Sequence, residues 1–151
     1  MSSYNSILSR TQHVLAAYVR SLTFAWTYGA DAVTPTILCG ISASVVVLPA
    51  IILECASADH EDVARFTGNW LCDAAVIVRE NADDCTEDEH LAHAGEVFDA
   101  FIASDIVTLL NATAAGVLTV NDVVTPARQG YTINNRSWQS TLTFRVLASY
   151  D

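Results

Sequence analysis

Two histidines beside a run of acidic residues are the strongest candidates for chemistry in this sequence. His90 and His93 are three residues apart, and Glu87 and Glu89 precede them. On a helix this spacing places both imidazoles on one side, where a carboxylate could complete a zinc site. The sequence places no third ligand, and the pair falls in the first turns of a helix, which we expect to face solvent. A solvated helix face is the favoured interpretation, and a small metal-dependent enzyme is the alternative.

Two polar clusters and two tryptophans also invite a functional interpretation. Asp59-His60-Glu61-Asp62 has the residue types of acid–base catalysis, but no nucleophile or phosphate-binding loop lies beside it, so it is predicted to be a hairpin loop. Asp83-Asp84 is predicted to be a loop before a helix. Trp70 and Trp138 could form a stacking platform for a ligand, but tryptophans in half-buried strands commonly pack on the core side.

Sequence motifs of enzymes are missing from the chain. There is no nucleophile elbow, phosphate-binding loop, dinucleotide-binding glycine pattern or H-E-x-x-H zinc signature. The sequence therefore predicts a protein that is not an enzyme, with no catalytic, cofactor-binding or metal-binding residues.

The charge of the chain excludes several classes of partner. The formal net charge is −10, and all seven basic residues are arginine. Such a chain lacks the basic patch that grips nucleic acid or anionic lipid. Thirteen of the seventeen acidic residues lie between Glu54 and Asp99, which predicts one strongly negative face.

Length and composition indicate one globular domain over residues 1–151. Apolar residues make up 52% of the chain, which is high for a monomer of this size and predicts that part of the surface is buried against other subunits. The cysteines have no metal-like spacing, and no signal peptide is recognisable at the N-terminus. We therefore expect reduced thiols in a protein made in the cytosol, with at least three in the core: the cysteines are Cys39, Cys55, Cys72 and Cys85.

The uncharged segment 32–53 is long enough to span a bilayer. Pro35, Gly40 and Pro49 interrupt it, and no basic residues flank it. Its valine and isoleucine runs suit buried strands better. We therefore predict no membrane span.

Hydrophobic periodicity predicts the elements of the N-terminal half. An apolar stripe with spacings of three and four predicts a helix over 6–26. Short apolar runs predict strands over 36–39, 50–56 and 69–79, and the last two are expected to pair antiparallel through the loop at 57–62.

The C-terminal half begins with a helix whose start is well marked. Thr86 followed by Glu89 is a capping-box pattern. A second helix is predicted over 105–114, then a strand over 117–124 and a turn around 126–130. The apolar stripe of the first of these helices is predicted to be Leu91, Ala94, Gly95, Phe98, Phe101 and Ile102, with His90, His93, Glu96 and Asp99 largely outside it.

Apolar and polar residues alternate along most of the last segment. This period of two predicts a strand with one buried face made of Trp138, Leu142, Phe144, Val146 and Ala148. Because strands and helices are segregated in runs, the predicted class is α+β: a mostly antiparallel sheet of four to five strands, with an N-terminal helix and two central helices packed on it.

The order of these elements resembles that of the tail terminator, or tail completion, proteins of long-tailed bacteriophages and related viruses. The resemblance covers residues 6–151. It rests on the N-terminal helix, a Pro-led apolar strand at 49–55, a strand that opens with GNW at 68–70, the acidic-capped helix TEDEHLAHAGEVFDAF, and the terminal NNRSWQSTLTFRVLA.

This resemblance implies an α+β subunit of a hexameric ring in the tail neck of a virion. The ring would cap the head-proximal end of the tail tube, stop its polymerisation and dock a neck or head-completion protein. The implied partners are further copies of the chain, the major tail tube protein and the neck protein. No catalytic residue is carried over. A head–tail joining or minor tail protein of the same assembly is the nearest alternative.

The acidic bias gains a hypothetical role in such a ring. Six copies at −10 each give a formal charge of about −60, screened by counterions within roughly 8 Å at physiological salt. Acidic residues that face the lumen would keep the passing genome from binding. The sequence does not say which carboxylates these are.

Overall fold

The computed structural model describes residues 6–40, 47–60, 69–134 and 136–149. Three helices cover one face of a five-stranded sheet in the strand order β3-β4-β5-β7-β6. The helices are α1 (Ile7–Ser21), α2 (Glu87–Phe101) and α3 (Ile106–Thr113). The strands are β1 (Trp26–Tyr28), β2 (Asp31–Val33), β3 (Thr36–Cys39), β4 (Ala50–His60), β5 (Asn69–Asn81), β6 (Thr119–Asn134) and β7 (Ser137–Ser149). The predicted α+β class and mostly antiparallel sheet are confirmed.

Helix α1 begins and ends for local reasons. The Ser6 side chain accepts a hydrogen bond from the Ser9 amide and caps the first turn. The buried side includes Leu15 and Val19, and full burial of such side chains contributes roughly 1.5–3 kcal/mol each. The backbone becomes extended at Leu22, so the prediction that this helix continues to Trp26 is wrong.

Trp26 instead opens a two-stranded ribbon that was not predicted. β1 pairs antiparallel with β2, from Trp26 opposite Val33 to Tyr28 opposite Asp31. Gly29, with φ +62, makes the turn between them. The spacing of four between Leu22 and Trp26 imitates a helix, but Trp26 is buried from a strand and directs its ring towards α2.

The central pair of strands is confirmed and is longer than predicted. β4 and β5 pair antiparallel from Ala50–Arg79 to His60–Trp70, with a register shift between Cys55 and Ser57. The predicted loop at 57–62 is therefore wrong over 57–60, which belong to β4, while residues 61 and 62 lie outside the described residues.

The edge strands hold two further differences from the sequence prediction. β3 pairs with β4 in parallel. The turn predicted at 126–130 is wrong, because β6 continues to Asn134 with a register shift between Val124 and Arg128. An edge strand tolerates a proline such as Pro126, and a bulge absorbs the extra residues.

The core lies between the helices and one face of the sheet. β7 contributes Leu142, Phe144, Val146 and Ala148, as its alternation predicts, and β5 contributes the even-numbered residues from 72 to 78. The other face carries a small apolar patch of Ala50, Ile52 and Ile77. Within the described ranges, no helix has the length and apolar character needed to cross a membrane.

The cysteines are free thiols, as predicted. Three of them are buried, as expected: Cys55, Cys72 and Cys85. Cys55 and Cys72 belong to the core between helices and sheet, whereas Cys85 lies beside a buried carboxylate.

Candidate functional site

The start of α2 positions the two candidate histidines. The Thr86 hydroxyl accepts a hydrogen bond from the Glu89 amide, and the Glu89 carboxylate accepts one from the Thr86 amide, so the predicted capping box is present. Acidic residues in the first turn suit the positive end of the helix dipole. This fixed start turns His90 and His93 towards the sheet and the β1–β2 ribbon.

A buried carboxylate receives both imidazoles. Glu80 lies on β5 in the same alternation as the core residues 72, 74, 76 and 78, and it is 0% exposed. His90 Nδ1 is 2.9 Å from Glu80 Oε1, and His93 Nδ1 is 2.8 Å from Oε2. The Tyr28 hydroxyl donates to Oε2 at 2.7 Å, and the Cys85 thiol contacts the same oxygen at 3.6 Å. We call Tyr28, Glu80, Cys85, His90 and His93 the Glu80 cluster.

The predicted solvent-facing histidine pair is therefore wrong. His90 is fully buried, and the His93 side chain is 14% exposed. The apolar stripe is also displaced, since Leu91 and Ile102 are 40% and 44% exposed. The buried side of α2 consists of His90, Ala94, Val97, Phe98 and Phe101.

The alternation of residues in β5 indicates, from the sequence alone, that Glu80 is buried. Continuing the even-numbered series Cys72, Ala74, Val76 and Val78 by one step reaches Glu80, which places a carboxylate on the covered face. A buried carboxylate needs donors. The sequence gives no indication that Tyr28 supplies one, because the two residues are 52 positions apart.

The hydrogen-bond donors around Glu80 determine the protonation state of its carboxylate. Burial alone would raise the pKa of Glu80, but the hydrogen bonds from His90, Tyr28 and His93 outweigh it and hold the pKa below its ordinary value. An ionised carboxylate only accepts, so each histidine Nδ1 carries a hydrogen. Burial and the neighbouring Glu80 raise the pKa of Tyr28 far above its usual range, and raise that of Cys85 to about 12.

The carboxylates predicted to share a metal with the histidines lie elsewhere. Glu89 is held in the capping box, and Glu87 is exposed at the surface. In the described parts of the chain, no group of three histidine, cysteine or acidic residues is arranged to hold a metal ion.

A chain of hydrogen bonds in this region has the order of a nucleophile, a base and an orienting acid. Ser140 Oγ is 2.8 Å from His90 Nε2, and His90 Nδ1 is 2.9 Å from Glu80. In other proteins this order activates a serine. Ser140, however, is 2% exposed and lies in mid-strand between Val78 and Tyr131, without the sharp turn that presents the nucleophile in hydrolases.

The aromatic residues around the cluster hold the imidazoles in place. Trp26 stacks on His93, with ring centroids 4.6 Å apart and planes 14° apart, and donates to Glu96 Oε2. Trp138 is half-buried, lies in contact with the rings of both His90 and Tyr131, and donates to the Cys85 carbonyl. Trp70 is half-buried against the helix-covered core. The two predicted tryptophan positions therefore lie at opposite ends of the sheet and do not form a common platform.

The predicted single negative face is divided by the structure. Glu54 and Asp73 lie beside a concavity of about 580 Å³ on the helix-free face, where Asp73 pairs with Arg145 at 3.1 Å. Glu80 is buried. A third group is exposed around the start of α2: Asp83, Asp84, Glu87, Asp88 and Glu89.

Comparison with known proteins identifies the fold. No protein-family model and no curated protein matches the sequence. A chain in the solved structure of the virion of a native gene transfer agent particle is similar, with a TM-score of 0.56 and 16% sequence identity. The alignment covers 91% of this chain and 93% of that chain. At this identity the likeness concerns the fold, and it extends over nearly all of the described elements.

Proposed function

We propose that this protein is a structural component of a virion of the tailed-phage type, and that it acts as the tail terminator. Copies of the chain form a ring on the head-proximal end of the tail tube, end tube growth and dock the neck or head-completion protein. The fold likeness to a chain of a gene transfer agent virion, over 91% of the length, is the observation that carries the proposal. The resemblance in element order supplies the position in the tail.

The surfaces of the monomer suit assembly. A closed ring is built from heterologous contacts, in which one patch of a subunit meets a different patch of the next. The helix-free face offers one extended patch, with Glu54, Asp73, Thr143 and Arg145 around its concavity. The helix-covered side offers a different surface, where Ile102 at the end of α2 is 44% exposed.

The exposed acidic group at the start of α2 is suited to a surface that repels DNA. Among the described residues, no ion pair joins its members to a basic side chain. In the proposed ring this group lines the lumen and keeps the genome from binding while it passes.

The ring is tested by measuring mass and tube growth together. Light scattering of the purified chain, alone and with pre-formed tail tubes, should give a closed oligomer and tubes whose elongation by added tube protein stops. A protein that remains monomeric in both conditions contradicts the proposal. A ring that binds neck protein but leaves tube growth unchanged assigns the chain to head–tail joining.

The lumen charge is tested separately with matched triple variants. Asp83→Asn/Asp84→Asn/Asp88→Asn removes three charges near α2, whereas Asp31→Asn/Asp105→Asn/Asp122→Asn removes three exposed charges elsewhere. We expect only the first variant to retain genome DNA in gel-shift and ejection assays. Equal behaviour of both variants removes the lumen role and leaves the ring proposal intact.

A further inference from the structure

The outer edge of β6 is open along one part and closed along another. β6 is the last strand of the sheet, and residues 129–133 are all exposed. Every second residue of an edge strand directs its N–H and C=O away from the sheet. At the beginning of β6, the Asn111 side chain occupies these groups: Val120 N–H donates to Asn111 Oδ1, and Asn111 Nδ2 donates to the Val120 carbonyl, both at 2.8 Å. Asn111 therefore closes the edge at Val120, whereas residues 129–133 lie beyond this cap, beside α2.

A groove runs beside this open edge, between β6 and α2. Its volume is about 150 Å³, below the roughly 300–1,000 Å³ of small-molecule pockets, so it fits a side chain better than a cofactor. Stacking of Tyr131 on Trp138 holds one wall in place. The groove is lined by Leu91, Ala94, Gly95, Phe98, Gln129, Gly130, Tyr131 and Ser140.

Nothing within the subunit requires a glycine at position 95. It lies in the interior of α2, where glycine is less favourable than alanine. Its φ is not positive, and a Cβ added there would have no atom within 4 Å. Leu91, Gly95 and Phe98 share one side of the helix, so the missing side chain leaves the groove open. Space kept free in this way is typical of positions that another chain approaches closely.

The rim of the groove is acidic. Glu87 is exposed on α2, one turn before Leu91. Asp83, Asp84 and Asp88 are exposed on the preceding turn and first helical turn. The basic residues nearest in the fold are Arg136 at the β6–β7 turn, Arg79 on β5 opposite Gln139, and Arg128 on β6 before the open edge, so acidic residues outnumber them. The local excess of negative charge favours a cationic partner.

We propose that this groove, which we call the β6–α2 groove, binds an extended strand of another protein. The strand pairs with residues 129–133 of β6, directs an apolar side chain over Gly95, and places an adjacent arginine or lysine against Glu87. Main-chain pairing supplies affinity, and the pocket and the acidic rim supply specificity. The inference rests on the edge, the groove and the charges, and does not depend on the place of the protein in a tail.

Charge also decides against a second copy as the occupant. Antiparallel pairing of two β6 edges would bring the acidic rims of two subunits together, each from a chain of net charge −10. Like charges brought together across an interface are unfavourable. A partner with basic residues beside an apolar one avoids this repulsion.

The proposal is tested by peptide selection on the intact chain. A displayed library of random nine-residue peptides is selected on the wild type after depletion on a Gly95→Leu variant. The most enriched peptide is then synthesised with a fluorescein label and its Kd measured by anisotropy. We expect alternating sequences with arginine or lysine beside an apolar residue. Bound peptide should slow amide exchange at alternate residues of 129–133.

Variants separate the steps of the argument. Gly95→Leu should weaken binding at least about tenfold, because the new side chain fills the groove. Glu87→Gln should weaken it by roughly twofold to fivefold at low salt, and less at high salt. Asp31→Asn is the matched control, since it removes one exposed charge from the β1–β2 ribbon on the other side of α2, and it should leave Kd unchanged.

Four outcomes would overturn the proposal, and a fifth would overturn its choice of partner. These are a library without enrichment, enriched peptides that bind Gly95→Leu equally, exchange protection outside β6, and enriched peptides without basic residues. If the wild type alone forms dimers that Gly95→Leu abolishes, the occupant is a second copy and the proposed partner is wrong. None of these results bears on whether the chain ends tail tubes, which the light-scattering and elongation assays decide.

Discussion

Replacing Glu80 by glutamine removes the charge at the centre of the Glu80 cluster and nearly preserves its shape. In the wild type the carboxylate accepts hydrogen bonds from His90, His93 and Tyr28, all at 2.7–2.9 Å in a site that is 0% exposed. The glutamine oxygen can keep part of this set, but its amide nitrogen faces an N–H or O–H donor. Each hydrogen bond to a buried charge contributes about 1.5–3 kcal/mol, so we expect a loss of about 2–4 kcal/mol in the free energy of unfolding.

The pKa of Glu80 determines how the stability difference between wild type and Glu80→Gln changes with pH. The pKa of Glu80 is lower in the folded state than its ordinary value of 4.5. Its contribution is therefore complete above the unfolded-state pKa and is lost as pH falls through the folded pKa. The difference between wild type and Glu80→Gln should be constant at neutral pH and should shrink below about pH 4.3.

The measurement is urea unfolding at fixed protein concentration, at pH 7, 5, 4 and 3. Changes in the midpoint at constant slope report stability, and fixed concentration keeps any assembly equilibrium the same. Asp31→Asn, at an exposed position on β2, is the control and should differ from wild type by less than about 0.5 kcal/mol. A loss for Glu80→Gln as small as that of the control, or a difference that grows towards acid, would refute the reasoning.

Three further predictions use other parts of the structure. Asn111→Ala should lower the free energy of unfolding by about 1–2 kcal/mol and speed exchange of the Val120 amide, because two hydrogen bonds are lost. Urea unfolding and hydrogen exchange measure these effects. Unchanged exchange at Val120 would contradict the role of Asn111 as a cap of the strand edge. Ellman's reagent at pH 8 should modify half-buried Cys39 before Cys85, whose pKa burial raises to about 12; mass spectrometry of the labelled chain identifies the site, and the reverse order would count against the structure. A fluorophosphonate probe should not label Ser140, which is 2% exposed, and labelling that Ser140→Ala abolishes would reverse this view.

The sequence predicted those parts of the fold that local patterns determine. The capping box at Thr86 and Glu89 marks the start of α2, and the alternation of β7 assigns Leu142, Phe144 and Val146 to the core. These signals depend on neighbours within one element, so they need no knowledge of the rest of the chain.

Contacts between distant elements could not be predicted in the same way. Trp26 has helical spacing from Leu22, yet it leaves the helix because its ring packs on His93, 67 positions later in the chain. Pro126 and Gly130 are typical turn residues, yet β6 passes through them because it is an edge strand with a bulge. The local sequence predicts that His90 and His93 face solvent. Their burial depends on Glu80 and Tyr28, which come from two other elements and which the sequence around the histidines does not reveal.

The side chain of Asn111 limits how far another strand can pair along the edge of the sheet. A sheet with free edges can act as a template for fibre growth, since each added strand creates a new edge for the next. β3, the opposite edge, is only four residues long, and Asn111 occupies the backbone of β6 at Val120. The Asn111 cap therefore shortens the stretch of β6 with which a further strand could pair. Within the described residues, one edge is therefore too short and the other is blocked at Val120, which makes the sheet a poor template for an amyloid-like aggregate.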